Sequence, residues 1–183
     1  MNVSHVGMAL ALAVAAASAG AAPQARDGQH DFDWEIGRWT TAVRVLQNPL
    51  SGEAPKWAEY RGESIIKPLL DGRANAVELS IAGAAGKIEG VSLRLYNPRA
   101  GQWSLNYASL RNGLLTAPVY GGFDGAGKGT FTGTDTLDGK AILVRFVITR
   151  PAKGTARFEQ AYSGDAGATW ETNWVATDTL VNP

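Results

Sequence analysis

Cysteine is absent from all 183 residues. Disulfides, thiolate metal sites, iron–sulfur clusters and thiol nucleophiles are thereby excluded. Histidine is nearly absent too, with only His5 and His30. The first falls in a segment expected to be removed and the second in a polar stretch. Histidine-mediated catalysis, a multi-histidine metal site and histidine-ligated haem are therefore not expected, and no cofactor or metal is assigned. An excess of one charge is also missing: 17 Lys and Arg balance 17 Asp and Glu, so no net field favours nucleic acid or anionic membranes. Helical periodicity sustained over a long stretch is lacking as well. Finally, the longest apolar run, Val6 to Ala22, falls short of the roughly 20 residues a spanning helix needs.

That run is almost wholly Ala, Leu, Val, Gly and Met, and Ala19-Gly20-Ala21 supplies a small-x-small cleavage site. Met1 to His5 carries no Lys or Arg, so the positive charge of its leading end rests on the terminal amine, with help from His5. Residues 1–21 read as a signal peptide, with a mature chain starting near Ala22; an uncleaved Ala-rich tail is the alternative. The alanine density points to a bacterial periplasm or secretion. Lack of cysteine does not contradict that, because oxidising compartments permit disulfides without requiring them. Signal removal leaves no integral membrane segment. Residues 22–30 read as a polar linker and 31–183 as a single domain, long enough for a sizeable core.

Within that domain the stretch Asp31-Phe32-Asp33-Trp34-Glu35-Ile36-Gly37-Arg38-Trp39 comes first. Asp31 is placed to cap one or two helical turns, with Phe32 and Ile36 on a common side and Gly37 as terminator. From there the period is two. Ten strands are expected near 38–47, 56–67, 73–82, 88–97, 102–110, 116–123, 128–137, 140–150, 154–163 and 169–180. Turn residues punctuate them, among them Asp71-Gly72, Asn112-Gly113, Asp124-Gly125 and Asp138-Gly139. Short links between all neighbours imply antiparallel pairing of adjacent strands. Val77, Leu79 and Ile81 share a face; so do Val91, Leu93 and Leu95, opposite Ser92 and Arg94. Ile142, Val144, Phe146 and Ile148 repeat the pattern, as do Phe158, Gln160 and Tyr162. One apolar face per strand must close on itself or pack on a second sheet. An all-β up-and-down barrel is expected, with a two-sheet sandwich as the alternative.

Gly37-Arg38-Trp39 at the start of the first strand resembles the Gly-x-Trp signature of calycins, the lipocalin and fatty-acid-binding-protein superfamily. The resemblance implies a short N-terminal helix closing one barrel end, and Trp39 packed beneath it against an Arg from a late strand. Arg157 or Arg150 stands in the right region for that role. Phe32 to Trp39, Gly90 to Pro98, Gln102-Trp103-Ser104 and Trp170-Glu171-Thr172-Asn173-Trp174 together resemble a bacterial lipocalin-like family of unknown function. That likeness implies a barrel and export but brings no reaction, ligand or site residue.

Other patterns are structural. Gly122 to Gly129 nearly matches a phosphate-binding loop, but Gly129 stands where Ser or Thr would hold Mg²⁺ and a strand follows where a helix is needed. It reads as a hairpin. Ser163 to Trp170 matches the Asp box familiar from sialidase propellers; here Asp165 is expected to accept amides across the turn, Gly167 to take a strained dihedral and Trp170 to pack beneath. Glu59, Arg61 and Glu63 alternate on the second strand and are expected to face water.

Six tryptophans carry the functional hint. Trp39, Trp103, Tyr107, Phe158, Tyr162, Trp170 and Trp174 fall on faces that parity assigns inward, and aromatic rings with a few polar tips suit apolar ligands. The reading is a barrel that binds a small hydrophobic or amphipathic molecule through Trp103, Tyr107, Gln160, Tyr162 and Trp174, with no catalytic residue assigned. An alternative of different class is a lumen-based isomerase, cyclase or hydratase using a buried Glu or Tyr. It requires a carboxylate inside the barrel. A filled interior would instead mark an envelope-interaction module.

Overall fold

A computed structural model describes residues 27–181. The expected signal peptide, and the linker up to residue 26, lie outside the described residues. The strands are β1 (Gly37–Leu46), β2 (Trp57–Leu69), β3 (Ala74–Gly83), β4 (Gly86–Asn97), β5 (Gln102–Ser109), β6 (Leu114–Leu115), β7 (Val119–Phe123), β8 (Gly129–Leu137), β9 (Lys140–Thr149), β10 (Thr155–Ser163) and β11 (Glu171–Leu180). Each strand of the wall pairs antiparallel with its sequence neighbour. The β1–β11 ladder, from Trp39↔Leu180 to Val45↔Trp174, closes the ring. That closure makes the molecule a calycin-like barrel, not a sandwich, and the wall counts ten strands because β6 is only a two-residue spur on β5. Among the described residues no helix is long and apolar enough to cross a membrane.

Close approach of backbones makes the closure possible. Gly62 sits opposite Thr41 and Ile81; a Cβ there would fall 2.1 Å from the Ser80 carbonyl oxygen. Gly121 is crowded in the same way by Thr130. A strand interior tolerates glycine at such a cost only where another backbone needs the room.

The segment before β1 plugs one end, but not as a regular helix. Asp33–Glu35 forms a single 3₁₀ turn whose N-cap is Phe32, with no side-chain cap, rather than Asp31. Ile36 faces out while Phe32 is buried, because a three-residue turn does not bring positions 32 and 36 onto one side. Phe32 packs edge-on to Trp103 (5.0 Å) and Phe123 (4.9 Å) and stacks on Phe131. Gly28, inside the stretch read as linker, is already part of this plug: its N–H donates to Tyr96 Oη, and its carbonyl accepts from Trp103 Nε1 at 2.8 Å.

Trp39 lies beneath the plug, its Nε1 donating to the Glu35 carbonyl at 2.7 Å and its ring edge-on to Trp34. The arginines expected beside it are elsewhere. Arg150 sits over Trp34, and Arg157 pairs with Glu159 on the outer face. Gly37, which opens β1, has φ +139° beside Leu180, a backbone setting that side chains other than glycine rarely adopt.

One face assignment is reversed. Val91 and Leu95 are exposed, whereas Ser92 and Arg94 point inward. The cause is register: paired residues on neighbouring strands point to the same side, and Val77, Leu79 and Ile81 of β3 pair with Ser92, Gly90 and Ile88. A strand's own alternation does not reveal which of its faces its neighbours turn inward.

Gly62→Ala is expected to destabilise the fold by about 1–3 kcal/mol through forced backbone displacement. Gly125→Ala, with open space around its Cβ, should be close to neutral. Thermal unfolding of the two variants measures the difference.

Candidate ligand-binding site

Opposite the plug, the barrel is open between the β1–β2, β5–β7 and β10–β11 links. A cavity of about 450 Å³ runs inward from Leu46, Pro49, Thr116 and Leu137. It shares Ser92, Arg94, Tyr107, Phe158, Gln160 and Trp174 with a lower chamber of about 180 Å³ that ends at Thr41, Ser64 and Asp178. The combined space is within the roughly 300–1,000 Å³ of small-molecule sites.

Four of the five residues expected to line the lumen do so: Tyr107, Gln160, Tyr162 and Trp174. Trp103 is placed elsewhere. It is held by Gly28 and Phe32 in the plug and is fully buried below the cavity. Trp170 is outside the wall, stacked on Arg145 at 4.3 Å, with its Nε1 donating to the Gly167 carbonyl. Parity placed it inside because it assumed unbroken alternation. In β11 the alternation breaks: Gln160 pairs with Trp174 but Ala161 with Thr172, so Asn173 is an extra residue. The bulge turns Asn173 and Trp174 both toward the cavity.

Tyr107 owes its pose to Gly90. A Cβ on Gly90 would fall 2.4 Å from the Tyr107 hydroxyl, so the phenol lies flat across β4. Burial pushes the Tyr107 hydroxyl upward, with Ser109 opposing. Burial also raises Tyr162, opposed by Asn173 and reinforced by Asp135. Both phenols therefore remain neutral donors.

The floor was not legible in the sequence. Arg94 is 4% exposed and lies between the Phe32 ring (4.3 Å) and the Phe158 ring (5.6 Å). Its Nη1 donates to Glu35 Oε2 in a short ion pair. Asp178 is 5% exposed and lines the lower chamber beside Arg94. Thr41 and Ser64, hydrogen-bonded to each other at 2.7 Å, complete the ring of polar groups. Burial pushes the Asp178 carboxyl up to about 6; Thr41 opposes this, Glu35 reinforces it, and Arg94 opposes it. Burial likewise raises Glu35 above 4.5, against the Arg94 guanidinium. Glu35 Oε1, Arg94 Nε and Asp178 Oδ1 have no hydrogen-bond partner among the described residues. The floor thus holds two carboxyls and one guanidinium.

The remaining motifs are turns. Gly122 to Gly129 is the β7–β8 hairpin, in which Asp124 Oδ1 accepts from the Ala126 and Lys128 amides. In the β10–β11 link Asp165 accepts from the Thr169 amide (2.9 Å) and hydroxyl (2.6 Å), and Gly167 has φ +92°. Those bonds hold the exposed Asp165 carboxyl down at about 2. Glu59, Arg61 and Glu63 face water. Among the described residues, no three His, Asp or Glu side chains converge to hold a metal ion.

No protein-family model matches this chain, and no curated protein matches it. Solved structures do. The S-type phycobiliprotein lyase CPES of Guillardia theta superposes with a TM-score of 0.59 at 9% identity, over 87% of this chain and 95% of that one. EF1p2_mFAP2b bound to DFHBI gives a TM-score of 0.46 at 8% identity, over 84% and 99% of the two chains. At 9% identity the likeness to the lyase shows a shared barrel fold.

The raised Asp178 carboxyl makes stability pH-dependent. Its folded value of about 6 exceeds the unfolded 3.8, so between those values the native state holds a proton that the unfolded chain has released. Its contribution therefore falls as pH rises through that window. Asp178→Asn is expected to stabilise the protein at pH 8 by on the order of 2–3 kcal/mol, a gain that vanishes below about pH 4. Thermal melts of both proteins across pH 4–8 check the sign.

Proposed function

We propose that this protein binds an elongated, largely apolar small molecule inside the barrel, reached from the end opposite the plug. The observation that carries the reading is the two-chamber cavity, walled by Tyr107, Phe146, Phe158 and Trp174. Apolar walls with a few fixed polar groups are how protein cavities combine affinity with orientation. Gln160, Tyr162 and Asn173 project polar atoms midway along the path. The exported, periplasmic or secreted setting inferred from residues 1–21 suits such a carrier and remains part of this proposal, as does kinship with the bacterial lipocalin-like family.

A second reading has one specific observation behind it. Asp178 is a carboxyl inside the barrel, beside a cavity, with its proton affinity raised toward neutrality. That is the setting a general acid or base requires. A lumen enzyme acting on an apolar substrate would lose turnover in Asp178→Asn while retaining substrate binding, whereas a pure carrier shows no turnover to lose.

The neutral fluorescent probe N-phenyl-1-naphthylamine tests the carrier reading. Saturable emission enhancement is expected, with quenching of Trp174. Ser92→Phe, which blocks the joint between the chambers, should weaken binding by about tenfold or more, at the cost of about 1–3 kcal/mol in stability. Absence of saturable binding, or an unchanged affinity in the folded Ser92→Phe variant, overturns it.

A further inference from the structure

The two chambers share Arg94 but differ in what surrounds it. The upper one adds Asp135 on its wall; the lower one ends on Asp178 among apolar side chains. Arg94 and Asp178 are each more than nine-tenths buried and line the lower chamber, and each carries a buried atom with no hydrogen-bond partner among the described residues, Nε and Oδ1. A buried polar atom left unpaired is costly, so a molecule that satisfies both is favoured and held in one orientation. Nε requires an acceptor and Oδ1, as a carboxylate, requires a donor.

Charge then restricts the choice. The single guanidinium is already engaged by Glu35. Other elements packed around Asp178 contribute Thr41 from β1, Ser64 from β2 and Ala156 from β10, all uncharged. Arg94 and Glu35 are the charged groups facing it. An anionic head group would be a third negative charge against one cation in a water-poor recess, where Coulomb repulsion is strong. A cationic head would satisfy Asp178 but would press against Arg94 and leave Nε without an acceptor.

We infer that the lumen selects molecules whose leading end is a neutral group bearing both a hydrogen-bond donor and an acceptor, such as a primary amide, lactam or hydroxyl, and discriminates against carboxylates. The acceptor takes the Arg94 Nε proton and the donor faces Asp178 Oδ1. This specificity rests on the carrier reading above.

Competition against N-phenyl-1-naphthylamine with decanamide, decanoate and decylamine, at pH 8 and on the full chain, tests it. Decanamide should displace the probe about tenfold more effectively than either charged analogue. Asp178→Asn should move the two in opposite directions: decanoate tightens by several-fold and decanamide weakens. In the unmodified protein, decanesulfonate, which stays charged throughout, should bind several-fold more tightly at pH 5 than at pH 8, as the floor gains a proton. Decanoate or decylamine matching decanamide, or parallel shifts in Asp178→Asn, overturns the specificity while leaving the carrier reading intact. Failure of the probe itself to bind removes both.

Discussion

Everything inside this barrel is arranged around the buried pair of Arg94 and Glu35. It links a strand in the middle of the wall to the turn that plugs one end, and it sits at the boundary between a filled half and a hollow half. Removing one member of such a pair typically costs about 3–5 kcal/mol, because the other is left charged and unpaired in a poor solvent. On the plug side the pair rests against Phe32 and Trp39, the latter fixed through the Glu35 carbonyl. On the cavity side it meets Phe158 and Asp178. The same interaction that seals the barrel therefore also furnishes its polar floor.

The two ends divide their tasks accordingly. Below the pair, Phe32, Trp103, Phe123 and Phe131 fill the interior with edge-on and stacked rings. Above it, Gly90 in the wall and Asn173 at the bulge make room or redirect side chains. The register shift at Asn173 lies on the hollow side, where unbroken alternation would have turned that amide away from the lumen.

The strand layout was legible because its determinants are local. Asp-Gly and Asn-Gly pairs mark the turns, and alternation sets each strand's two faces. The ten wall strands accordingly fall within a few residues of their expected bounds. What escaped is non-local. Ser92 and Arg94 look like a solvent face until the register with Val77 and Asn75 turns them inward. Asp178, flanked by Thr177 and Thr179, reads as a polar surface position; only the pairing with Thr41 and Ala156 places it inside. Glu35 was visible within the plug motif, but its partner lies 59 residues away. Trp103 shows the converse: an aromatic on an inward face was read as lining, yet the plug reaches it first.

The wall is thinnest where β7 is short. It reaches β5 only through Trp103, Ser104 and Leu105, and β8 only up to Thr132. Thr134 to Leu137 therefore run without a strand partner on that flank, and across the gap the connecting loop holds Leu110, Leu114 and Leu115 out to solvent. Bare edges template aggregation unless charge or twist discourages it. The segment answers with Thr134, Asp135 and Thr136, so the flank beside the leucine-tipped loop presents polar side chains rather than a greasy template.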